Sequence, residues 1–141
     1  QSNIASKLSA RTIPERLKAA AYPASAPARL PVCEEAALPQ SGIFPDPVFL
    51  RDFMRNAVRT KDGRSLRDVE LQTRMFKYRC SYMIYTQGFK ALPKSFLDIF
   101  NRMLKRALSD PSDRGFDHIP AAEKKAILEI LWNTGVLPEG P

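Results

Sequence analysis

GRSLRDVELQTRMFKYRCSYMIYTQGFKALPKSFLDIFNRMLKRAL, residues 63–108, is the stretch on which the fold depends. Its second half is the clearest helix in the chain. After Pro93, the apolar residues Phe96, Leu97, Ile99, Phe100, Met103, Leu104, Ala107 and Leu108 fall at helical spacing and form one wide face. Lys94, Asp98, Arg102, Lys105 and Arg106 take the other side. Lys105 and Arg106 sit near the C-terminal end, where the helix dipole favours cations. Asp110-Pro111 stops the pattern.

The first half is harder to read. Ser65 has the character of an N-cap, and Asp68 three residues on approximates a capping box. Leu66, Val69, Thr73 and Phe76 share a helical side that Leu71 and Met75 widen, so the spacing predicts a second helix weakening near Tyr78. Residues 79–85 read either as a buried helical turn or as a short strand. No second strand candidate is available to pair with, so a helix or an irregular buried segment is expected, ended by Gly88.

Upstream, Asp46 and Pro47 mark an N-cap and first helical position. Phe49, Leu50, Phe53, Met54 and Ala57 then line one face, before the turn signal Lys61-Asp62-Gly63. Downstream, Pro120 opens a last helix with Ala126, Ile127, Ile130 and Leu131 inward and Glu123, Lys124 and Glu129 outward. Trp132 lies beside that stripe, and Gly135 suits the C′ position.

The N-terminal third has another character. Residues 4–22 carry only a weak amphipathic helix, and residues 23–47 hold six of the 12 prolines. Each proline pushes the residue before it toward extended backbone. An arm is expected here, lying across the helical body or across a neighbouring molecule, with Leu30, Val32, Leu38, Ile43 and Phe44 as anchors. Gln1-Ser2-Asn3 reads as the remnant of a cleavable affinity tag.

The organisation expected is therefore a tag remnant at 1–3, an arm with a weak helix at 4–45, and a helical domain at 46–141. The fold class is all-α: a small bundle of four or five helices with an extended Pro-rich N-terminal arm. Only 6 glycines, and no runs of alternating β-branched residues, argue against an all-β fold. A hydrophobic fraction of 44% is enough for a modest core. No apolar run is long enough to span a membrane.

The net charge of +7 suits nucleic acid, anionic lipid or an acidic protein, and selects none of them. The basic residues from Arg51 to Arg79 recur among acids, as on a solvated surface. Within them, Arg64, Arg67, Arg74, Lys77 and Arg79 interleave with Phe76, Tyr78, Tyr82 and Tyr85. That mixture resembles nucleic-acid surfaces. Its structural alternative is a set of internal ion pairs, with Asp68, Glu70 or Asp98 as partners. Tyr78, Tyr82 and Tyr85, at i, i+4 and i+7, suit either a ligand groove or core packing. The candidate binding residues are Arg64, Arg67, Arg74, Lys77, Arg79, Tyr82 and Tyr85.

Nothing in the sequence assembles a reaction centre. His118 is the only histidine, with Asp113, Asp117 and Glu123 near it in sequence. A lone loop histidine is more often solvated than catalytic. Cys80 follows Lys77 and Arg79 but has no neighbouring base. Ser65 is accounted for as a cap, and Ser81 has no companion base. A Cys33–Cys80 disulfide would close a long loop and contribute on the order of 3–4 kcal/mol; two unrelated buried thiols are the alternative. No zinc spacing, c-type haem motif, phosphate loop, HExxH or GxSxG is present. No catalytic residue, metal or cofactor is assigned.

The run GRSLRDVELQTRMFKYRCSYMIYTQGFKALP, residues 63–93, resembles a C-terminal module of uncharacterised bacterial exported proteins, similar to one accompanying c-type cytochrome domains. The resemblance continues into AAEKKAILEIL and covers roughly half the chain. It implies a bacterial, secreted or periplasmic setting and brings no activity. The haem-attachment motif of those cytochromes is absent here. The expectation is a non-enzymatic exported accessory or protein-interaction domain, docking a partner protein or other domains of its parent protein through the arm and the aromatic-basic surface. A nucleic-acid or anionic-surface binding module is the alternative.

Overall fold

The structure, a computed structural model, describes residues 36–138 apart from the side chain of Arg114. Among these residues it is helical, with α1 at Pro47–Arg55, α2 at Gln87–Lys90, α3 at Lys94–Ser109 and α4 at Ala121–Asn133. Two 3-10 turns, Tyr82–Tyr85 and Arg114–Phe116, complete the regular structure. Cys33 and the anchors Leu30 and Val32 lie outside the described residues, so the disulfide and most of the arm are not described.

The helix signals act as their chemistry dictates. Asp46 Oδ1 accepts the amides of Val48 and Phe49 at 2.8 and 3.0 Å, and Pro47 occupies the first position of α1. Asp110 closes α3. Beyond α4, Gly135 takes φ +74°, a conformation that costs glycine little. The amides of Val136 and Leu137 then bond back to Leu131 O at 3.0 and 3.2 Å. Leu137 thereby returns to the core.

α3 and α4 form the principal packed pair. Phe100, Leu104, Ala107 and Leu108 from α3 meet Ile127, Leu128, Ile130 and Leu131 from α4. Leu104, Ile127, Ile130 and Leu131 are fully buried. α1 buries no residue completely. It leans on the rest through Phe53, whose ring lies 6.2 Å from Phe76 and 5.4 Å from Tyr82.

The helix expected from Ser65 does not form. The capping bonds do: Ser65 N donates to Asp68 Oδ2 at 2.9 Å, and Arg67 N donates to Ser65 Oγ at 3.1 Å. The chain then leaves the turn as an irregular hairpin. Lys77 N bonds Asp68 O, Glu70 N bonds Met75 O, and Val69 and Phe76 make an isolated antiparallel bridge. At its tip Leu71 takes φ +65°, and Glu70 Oε2 accepts the amides of Thr73 and Arg74, both at 2.9 Å. Side-chain bonds of this kind offer the backbone an alternative to the helical ladder. Burial decides the rest. Leu66, Tyr78 and Cys80 are all buried, and Tyr78 and Cys80 alternate as in extended chain.

Gly88 lies inside α2 and does not end a helix. Thr86 caps that short helix, with Oγ1 accepting Phe89 N at 3.3 Å. Of the described arm residues, Leu38 N bonds Thr73 O and Ile43 N bonds Leu71 O, so residues 38–43 lie along the hairpin tip. Gly42 sits there at φ +68°, where a Cβ would stand 2.8 Å from Leu71 O. Phe44 is 86% exposed and does not pack on the helical body.

The Glu70 tip makes the first prediction. Accepting the Arg74 and Thr73 amides holds the Glu70 carboxyl below its ordinary 4.5. A depressed carboxylate contributes stability that is complete above its ordinary value and lost as pH falls through the folded value. The NMR shifts of the Thr73 and Arg74 amides should therefore follow one acid titration with a midpoint below 4.5. Glu70→Gln should flatten it. A midpoint at or above that value would remove the carboxylate from the tip's support.

Candidate functional site

Three members of the basic cluster singled out in the sequence, Arg64, Arg74 and Arg79, reach acids of α4. Glu123 is the hub. Its two carboxylate oxygens accept Arg74 Nη1 at 3.0 and 3.1 Å, and Oε1 also accepts Arg79 N at 2.8 Å. Arg79 Nη1 lies 3.5 Å from Oε2 and donates to His118 O at 2.7 Å. Arg74 Nη2 donates to Lys77 O at 2.6 Å. Only 9% of the Glu123 side chain is exposed.

Glu123 was expected to face outward, and it faces inward. The signal was present: it precedes Ile127 by four residues and Ile130 by seven, which sets it on the buried stripe. An acid placed there requires cationic partners. The hairpin path supplies two of them. On a helix, Arg74 and Arg79 would point about 140° apart and could not meet one carboxylate.

The other members of the cluster are also engaged. Arg64 Nε lies 2.6 Å from Asp62 and its Nη1 2.9 Å from Glu129. Arg67 Nη1 donates to Phe53 O at 2.9 Å. Its guanidinium lies over both rings of the perpendicular Phe53–Tyr82 pair, 5.1 Å from the Phe53 centroid and 4.7 Å from that of Tyr82. Lys77 is exposed, with Nζ 5.6 Å from the Tyr78 ring. Tyr85 is half-buried, and its hydroxyl lies 2.8 Å from Thr134 Oγ1. Burial pushes the Tyr85 phenol above its ordinary value, and the Thr134 bond opposes that. The structure thus brings Arg74 and Arg79 together, places Arg67 with Tyr82, and leaves Arg64 and Tyr85 each with separate partners. Asp68 and Glu70 serve the hairpin, and Asp98 pairs with Lys94 at 2.8 Å.

The chemical candidates stand apart from one another. His118 is exposed, and its ring lies 6.2 Å from that of Phe116. Ser81 caps the 3-10 turn by accepting Met83 N at 3.2 Å. Cys80 is buried. Among the described residues no group of three metal-ligating side chains converges, and no helix is long and apolar enough to cross a membrane.

Two apolar surfaces stay open among the described residues: Phe44, Val48 and Phe49 at the start of α1, and a stripe on α3. The apolar face of α3 is wider than the core needs. Phe96, Ile99 and Met103 are 49%, 53% and 41% exposed, at i, i+3 and i+7. Arg102 and Arg106 stand along one edge of this stripe, three residues beyond Ile99 and Met103. Arg102 has no ion pair among the described residues, and Arg106 reaches Asp110 and Asp113 only at 3.7 and 3.8 Å. By spacing alone these residues share one wide face with Phe100, Leu104 and Leu108.

The chain matches no protein family model, and neither a curated protein nor a solved structure is significantly similar to it.

Proposed function

We propose that this chain is a non-enzymatic docking module that holds a partner protein, or another domain of its own parent protein, against α3. The observation that carries the reading is the exposed stripe Phe96–Ile99–Met103 with Arg102 and Arg106 at its edge. Apolar anchors at this spacing suit a second amphipathic helix, and the two guanidiniums select one with an acidic border. The arginines at 64, 67, 74 and 79 already donate to acceptors within the protein, which turns the reading away from a phosphate-binding surface. The exported setting rests on the resemblance of residues 63–93 and 121–131 alone.

A synthetic amphipathic peptide with leucines at i, i+3 and i+7 and flanking glutamates tests the reading. It should bind in a salt-weakened manner, and its lysine-flanked counterpart should not. Ile99→Asp with Met103→Asp should raise Kd roughly tenfold or more while leaving helical circular dichroism unchanged. Equal binding of the two peptides, or a double variant that binds as the parent does, would overturn it.

A further inference from the structure

A cleft of about 240 Å³ lies between the 3-10 turn Tyr82–Tyr85, α2, α3 and the turn that follows α4. A volume below the usual range of drug-sized sites restricts its occupant to a small molecule. Ile84, Phe89, Leu97 and Val136 form the apolar walls. Ile84 is buried, and Phe89 and Val136 pack against the same core, so the fold fixes these walls. One ionised side chain lines the cleft, Lys90, and no carboxylate does. Its ammonium has no ion pair among the described residues. Asp98, next in sequence to Leu97, is not a wall residue and is held by Lys94 at 2.8 Å. The charge presented to a ligand is therefore positive, with no acid on the walls to cancel it. The hydroxyls select as well. Thr134 Oγ1 donates its proton to Ile130 O at 2.7 Å. The 2.8 Å bond between Tyr85 and Thr134 is therefore donated by the phenol. Both protons are spent inside the protein, and the Tyr85 oxygen keeps acceptor capacity only. Half-buried Asn101 adds a side-chain amide that makes no hydrogen bond among the described residues.

We propose that this cleft binds a small aromatic acid that carries a hydrogen-bond donor, such as a hydroxyl, apart from its carboxylate. The ring lies against Phe89, Leu97 and Val136, the carboxylate meets Lys90, and the Tyr85 oxygen accepts the donor. None of Phe96, Ile99 and Met103 lines the cleft, so the site is independent of the docking stripe.

Three probes share one ring: para-hydroxybenzoate, benzoate, which lacks the donor, and para-hydroxybenzamide, which lacks the charge. In titrations of isotope-labelled protein, para-hydroxybenzoate should shift the amides of Phe89, Asn101 and Val136 saturably. The other two should bind roughly fivefold more weakly, each for the interaction it has lost. Lys90→Gln should bring para-hydroxybenzoate down to the affinity of its amide and leave the amide's own Kd unchanged. Tyr85→Phe should bring it down to benzoate without moving benzoate. Comparison within the series cancels any general effect of a substitution on the fold. No saturable shift at these walls up to tens of millimolar would overturn the proposal. So would benzoate or the amide binding as tightly as para-hydroxybenzoate, or a Lys90→Gln protein that still prefers the acid to its amide.

Discussion

Replacing Glu123 with alanine should destabilise the protein by about 2 kcal/mol, because removing the acid from a partly buried ion-pair cluster strands the Arg74 and Arg79 guanidiniums. Its carboxylate accepts a guanidinium from Arg74 and both a backbone amide and a guanidinium contact from Arg79. With the acid gone, Arg79 N loses its acceptor next to the buried Tyr78 and Cys80. The two guanidiniums keep one carbonyl each, at Lys77 and His118, but no counter-charge among the described residues. Glu123→Gln preserves the shape and one acceptor, so its cost should be roughly half. The exposed pair Lys94–Asp98 serves as the control. With side chains 87% and 53% exposed, Asp98→Ala should cost at most about 0.5 kcal/mol. Urea unfolding measures all three. If Glu123→Ala cost no more than Asp98→Ala, the hub would be an incidental surface contact.

Leu66→Ala is the second large effect, expected at about 3 kcal/mol. Leu66 is fully buried although it belongs to no helix. It joins Tyr78, Cys80 and Ile84 in the same core cluster as the α3–α4 interface. A loop merely draped over a helix pair would tolerate this truncation. A segment that completes the core leaves a cavity when truncated, and the surroundings collapse into it only in part. A loss below about 1 kcal/mol would show that residues 63–81 are a covering and not part of the core.

These two residues also mark where sequence reading succeeded and failed. α3 and α4 were legible because their apolar residues repeat at helical spacing over several turns between clear stop signals. The cap of α1 was legible because Asp46 and Pro47 act locally. Residues 65–81 carry a helical spacing too, and the capping bonds at Ser65 even form. What overrides them is remote in sequence. Arg74 and Arg79 meet an acid 49 and 44 residues away, and a helical path would separate them. The arginine cluster was legible as unusual, and its role was not, because Glu123 was read as solvent-facing. Its register with Ile127 and Ile130 held the correction. On α3 the apolar face was legible as a whole. Its division into a buried half and the open Phe96–Ile99–Met103 stripe was not, since spacing does not report which neighbour covers which residue.

The central claim is that the working face is this stripe and not the arginine cluster. Chemical-shift mapping tests it most directly, with isotope-labelled protein and the glutamate-flanked amphipathic peptide. The account predicts perturbations centred on Phe96, Ile99, Arg102, Met103 and Arg106, fading with added salt, and none around Arg74 and Arg79. Perturbations centred on Arg64, Arg67, Arg74 and Arg79, with α3 unmoved, would contradict it.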